Sequence, residues 1–92
     1  MRTLYISLPT VLSVQKFVEQ ISLLDGQFDM LSDDYILDAK SLMGVFRLDL
    51  TKPIKLRVEK DSRETMRVLK PFVVKVPSAR NKRKKDLEER NE

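Results

Sequence analysis

Three observations predict an α+β fold, an open-faced β-sandwich in which helices cover one face of an antiparallel sheet. Short stretches alternate apolar and polar residues, longer stretches carry apolar stripes at helical spacing, and Pro or Asp-Gly breaks separate them. Every alternating stretch has a polar side, so one face of the sheet is expected to be wet. A chain of 92 residues holds one domain with one core.

The elements follow in order. Residues 2–7 alternate Leu4 and Ile6 with polar neighbours and read as a strand that Pro9 ends. Thr10 or Ser13 can cap a helix with Val11, Val14, Phe17, Val18, Ile21 and Leu24 on one face, stopped by Asp25-Gly26. Residues 27–31 and 35–38 flank Ser32-Asp33-Asp34 as a hairpin, with Phe28 and Met30 on one pleat face against polar Gln27 and Asp29. Ser41 stands where a helix N-cap belongs, before an apolar run that continues to Leu50 and reads as a three-turn helix. Pro53 opens a strand over 54–59 with Ile54, Leu56 and Val58 on one face. Asp61 or Ser62 caps a last helix, with Glu64 placed to complete a capping box from Asp61. Met66, Leu69 and Val73 form its stripe, and Pro71 ends or kinks it near Lys70. The expected order is βαββαβα, a four-stranded antiparallel sheet with three helices on one face.

Composition narrows the chemistry. Without cysteine there is no thiolate catalysis, disulfide or zinc–thiolate site, and without histidine the commonest general base and metal ligand are missing. Asp33 and Asp34 lie in a turn, where Asp bonds its own backbone, and no metal or other cofactor is expected. Gly26 and Gly44 are too far apart to build a phosphate-cradling loop. Catalysis is not expected. No apolar run approaches the ~20 residues that span a bilayer, and the N-terminus lacks a cleavage site, so a cytoplasmic location without membrane contact is expected.

The run Asp38-Ala39-Lys40-Ser41-Leu42-Met43-Gly44-Val45 resembles the segment that opens the second helix in HPr, the histidine-containing phosphocarrier family of the bacterial sugar phosphotransferase system. Residues 15–50 align with that family without a gap, and the likeness in element order covers about residues 2–73. The family's phosphoryl-accepting histidine begins the first helix. Its counterpart here is Thr10, and Leu12 replaces the neighbouring arginine. A threonine hydroxyl forms no labile phosphoramidate and does not titrate near neutral pH. The resemblance therefore implies the fold without the relay, as in the family members that lack the histidine.

What the resemblance keeps is Ser41, which a dedicated kinase phosphorylates in some members. A phosphate there would add about −1.5 to −2 charge beside Lys40 at a helix start. Ser41 as a cap alone, with no kinase, is the other reading. The resemblance implies partner binding by Lys40, Leu42, Met43 and Phe46; the last three match a partly exposed apolar knob that docks partners in the family, and a helical apolar stripe can equally be core. The implied partners are proteins, among them a serine kinase and a transcription regulator.

The expected division is a domain over residues 1–77 and a charged tail over 78–92, disordered or partly helical. The net charge is +4, and in the tail a basic run over 80–85 precedes acidic Asp86, Glu88 and Glu89. Such a tail could recruit a protein or nucleic acid and make the chain a binding module unrelated to sugar uptake. It has no aromatic residue to stack on bases, so a nucleic-acid partner is not expected. Leu87 is its one large apolar residue. Truncation after Pro77 is expected to shift stability by less than about 1 kcal/mol, measured by urea denaturation against the full chain.

Overall fold

The computed structural model describes residues 1–34 and 36–76. Tyr35, Pro77 and the whole tail expected over 78–92 lie outside the described residues. The elements are β1 (Arg2–Ile6), α1 (Val11–Ile21), β2 (Phe28–Leu31), β3 (Ile36–Asp38), α2 (Leu42–Val45), β4 (Ile54–Val58), α3 (Arg63–Leu69) and β5 (Val73–Val74). The strands form one antiparallel sheet in the order β3-β2-β4-β1-β5, with the helices on one side.

The sheet has five strands where the sequence pattern suggests four. Pro71 lacks an N–H and its ring clashes with a continuing helix, so α3 ends at Leu69. A 3-10 turn over Lys70–Phe72 then reverses the chain. Val73 therefore does not extend the α3 stripe. It pairs with Ile6, half-exposed at the sheet edge, and Val74 pairs with Tyr5. Phe72 takes the inward place instead, edge-on against Phe17 with ring centroids 5.3 Å apart. The Ser7 amide donates to the Phe72 carbonyl at 2.9 Å and ties this return to β1.

The core lies between the sheet and the helices. Ile54, Leu56 and Val58 of β4, Phe28 and Met30 of β2, and Ile6 of β1 face Val14, Phe17, Val18 and Ile21 of α1. Val11, which the spacing puts on that stripe, is 61% exposed, while Val14 one turn on is fully buried. The helix also ends earlier than the Asp25-Gly26 pair. The Ser22 hydroxyl donates back to the Val18 carbonyl at 2.6 Å, and Leu24 folds inward beyond it. Gly26 makes the turn into β2 with φ of 90°, a conformation that a side chain would strain.

Two further expectations change. Asp29 faces the open side of the sheet, yet it is 8% exposed. The register places it opposite Arg57, whose Nη2 meets Oδ2 at 3.0 Å, and Gln27 Nε2 donates to Oδ1 at 3.1 Å. At α3 the cap is Ser62, whose Oγ accepts from the Thr65 amide at 3.2 Å. The capping box expected between Asp61 and Glu64 does not form, because Thr65, not Glu64, sits three residues past the cap.

Phe17 is fully buried and makes the aromatic contact that seats the C-terminal return. Phe17→Ala is expected to lower unfolding free energy by about 3–5 kcal/mol. Val11→Lys, on the same helix, is expected to stay within about 0.5 kcal/mol of the parent chain. Chemical denaturation of the two variants checks both, and equal losses would contradict the assignment of faces.

Candidate docking surface

Two candidate residues, Thr10 and Ser41, stand at helix starts. Thr10 is the N-cap of α1, with extended backbone. Its Oγ1 accepts from the Ser13 amide at 3.0 Å, and the Thr10 amide donates to Ser13 Oγ at 3.0 Å. This reciprocal box satisfies two amides that a helix start would otherwise leave open. The Thr10 side chain thus serves the backbone, which is what a hydroxyl does well.

Ser41 is the N-cap of α2, exposed, and its Oγ accepts from the Gly44 amide at 3.2 Å. A Cβ on residue 44 would lie 3.2 Å from that Oγ, so glycine keeps the space beside the hydroxyl open. The helix is one turn long rather than three. Beyond Val45 the chain continues in tighter turns, with the Arg47 amide on the Gly44 carbonyl and the Leu48 amide on the Val45 carbonyl. One turn carries little macrodipole, so the expectation of a helix-dipole site at Ser41 is weakened. The Lys40 ammonium, beside Ser41 in the chain, is itself engaged. Its Nζ donates to the Leu24 carbonyl at 2.8 Å and lies 5.4 Å from the Phe28 ring centroid. It braces the loop between β3 and α2 against the end of α1.

The apolar run after Ser41 divides cleanly. Val45 is fully buried, and Leu48 and Leu50 pack against the core. Leu42 and Phe46 keep more than a third of their surface exposed, and Met43 is 77% exposed. Leu42 also borders an open groove of about 440 Å³ between α2 and α1, where Leu12, Lys16 and Glu19 form the other wall. Leu12 and Val11 are both exposed. They add apolar surface to the candidate face, a role that sequence reasoning missed. The signal for it is the adjacent apolar pair Val11-Leu12 in the first turn of α1, where a single buried stripe has room for only one of them.

The fold is HPr-like. A solved structure, HPr-C-His from Thermoanaerobacter tengcongensis, superposes with a TM-score of 0.63 at 24% identity, covering 77% of this chain and 89% of that one. No known protein-family profile matches the chain. No curated protein matches it in sequence. The likeness carries the fold, and the function has to be read from the residues above.

Replacing the caps measures their local worth. Ser41→Ala is expected to cost about 0.5–2 kcal/mol, and Ser41→Asp to restore most of it, since a carboxylate also accepts from the Gly44 amide. Thermal or urea unfolding of the two variants checks the order. An equal loss in both would show that Oγ does not cap α2.

Proposed function

We propose that this chain is a non-catalytic HPr-like protein that acts by docking to protein partners, gated by phosphorylation of Ser41. The observation that carries this reading is one surface. An exposed serine hydroxyl stands directly before Leu42, Met43 and Phe46, three exposed apolar side chains on an HPr-like fold. Exposed apolar clusters of this kind are partner sites more often than accidents of folding.

The gate works through local charge. A kinase would transfer a phosphoryl group from a nucleoside triphosphate to Ser41 Oγ, releasing the hydroxyl proton and the diphosphate. The product brings about −1.5 to −2 charge and three acceptor oxygens to the rim of the apolar patch. A partner that presents only apolar surface would then bear the cost of desolvating the phosphate. A partner that presents an arginine beside its apolar anchor would gain a charge-assisted contact. Without a histidine the chain offers no acceptor for the phosphoryl relay, and a cytoplasmic protein kinase and a regulator of transcription are the partners the reading implies.

Two experiments test the proposal. Incubation with the upstream phosphotransferase enzyme and labelled phosphoenolpyruvate is expected to leave the chain unlabelled, and stoichiometric acid-labile phosphate would refute the non-carrier reading. Affinity for captured partners is expected to differ between Ser41→Ala and enzymatically phosphorylated protein, and to fall when Leu42, Met43 or Phe46 becomes Ala. Binding that ignores all of these changes would leave Ser41 as a cap and nothing more.

A further inference from the structure

Basic charge in this chain is concentrated late. Residues 60–85 hold ten Lys and Arg against two Asp and Glu, whereas the rest of the chain holds eight against twelve. An asymmetry of this kind points to a polyanionic partner. The fold decides which of these cations stand together.

Helix α3 aligns three of them. Thr65 and Leu69 are its buried residues, and Met66 and Val68 beside them are half-buried against the core. Arg63, Arg67 and Lys70 follow at i, i+4 and i+7 on the opposite, solvent side, and all three are exposed. Lys70 keeps helical backbone as the C-cap, so the row runs straight for about 10 Å. Its charge is unanswered among the described residues, where the ion pairs are Asp29–Arg57 and Asp49–Lys52. Glu64, the one acidic residue of α3, stands about 100° around the helix from Arg63 and borders a small cleft with Asp25 and Lys60. Asp61 lies outside the helix, before the Ser62 cap.

The row selects its partner by what it lacks. It contains no apolar side chain, because the apolar positions of α3 are taken up by the core. It therefore offers neither the buried anchor of a protein interface nor the inserting face of a membrane-surface helix. Phe72, the aromatic residue that follows, is turned edge-on against Phe17 and gives single-stranded bases no ring to stack on. Lack of a stacking platform is the ground on which the sequence argues against a nucleic-acid partner, and it leaves duplex contact open. A duplex carries one charge per about 1.7 Å of axis, and Arg and Lys meet its phosphates without reading bases. We propose that the outer face of α3 binds the phosphate backbone of double-stranded nucleic acid through Arg63, Arg67 and Lys70, without sequence preference. The face is independent of the Ser41 reading. Helix α2 packs beside β3 at one edge of the sheet and α3 leads into β5 at the other, so the two surfaces lie toward opposite edges.

The test uses the full chain and a short fluorescein-labelled DNA duplex of mixed sequence, followed by anisotropy from low to physiological salt. The parent chain is expected to bind the duplex more tightly than either separated strand. Arg63→Gln/Arg67→Gln/Lys70→Gln is expected to weaken binding about tenfold or more at low salt. It should also flatten the slope of log affinity against log salt by about 3, one for each lost phosphate contact. Arg63→Lys/Arg67→Lys keeps the charge and is expected to stay within about twofold of the parent. Arg2→Gln/Lys52→Gln/Lys55→Gln removes as much charge elsewhere and is expected to change the slope by less than about 1. All the substituted side chains are exposed, and urea midpoints equal to the parent's would show that a loss is one of contact. Equal losses in the two Gln variants would assign binding to net charge, and an unchanged slope in the α3 variant would assign it to cations outside α3. Either result overturns the proposal. So does tighter binding of the single strands, or a chain that ignores the duplex at low salt and is captured by phosphatidylserine vesicles or polyglutamate.

Discussion

The antiparallel pairing of β1 with β4 sets the position of nearly everything else. Its register joins Leu4 to Leu56 and Ile6 to Ile54, so these side chains share the face on which α1 lies. A slip of one residue would turn Lys55 and Arg57 into the core and Leu56 into water. The same register fixes the outer strands. β2 continues it with Met30 opposite Leu56, and β5 borrows the far edge of β1 through Ile6 and Tyr5. The sheet can cover only one of its faces with three short helices. The helix-free face is left with whatever side chains the alternation puts there.

The exposed apolar patch after Ser41 is a consequence of how little α2 buries. A single turn anchored by Val45, with Leu48 and Leu50 following inward, uses up the core's capacity at that end. Leu42, Met43 and Phe46 remain outside, and Ser41 opens the turn that presents them. Thr10 and Ser41 play the same structural part at two helix starts, each hydroxyl accepting from the amide three residues on. Their functional prospects differ because of their surroundings. Thr10 is locked in a reciprocal box with Ser13, whereas Ser41 makes one bond and faces open space kept by Gly44.

Much of this is legible in the order of residues alone. The strands over β1, β2 and β4, most of the stripe of α1, the cap at Ser41 and the break at Pro71 all follow from residue types whose effects are local, and the caps of α1 and α3 are narrowed to two neighbours each. A β-branched alternation, a hydroxyl before an apolar run and a proline act within a few residues, so a linear reading can find them. The missing histidine is of the same kind, a fact of composition that bars one chemistry outright.

Other features are decided only where distant segments meet. Periodicity marks Val11 and Val14 alike as helix-face residues, and only the position of the sheet beneath α1 buries one and exposes the other. Val73 fits the α3 stripe, yet β1 offers an open edge of unpaired backbone, and pairing with Ile6 wins. Asp29 reads as a wet-face residue, and its burial depends on Arg57, 28 residues away and adjacent only through the sheet. The row of Ile36, Leu31, Lys55, Tyr5 and Val74 across the sheet does not exist in the sequence at all, because its five members come from five strands. The sequence by itself determined most of the elements and the lack of imidazole and thiol groups. Tertiary structure decided which apolar residues stay at the surface, because that depends on which faces touch, and contact is not a local property of the chain.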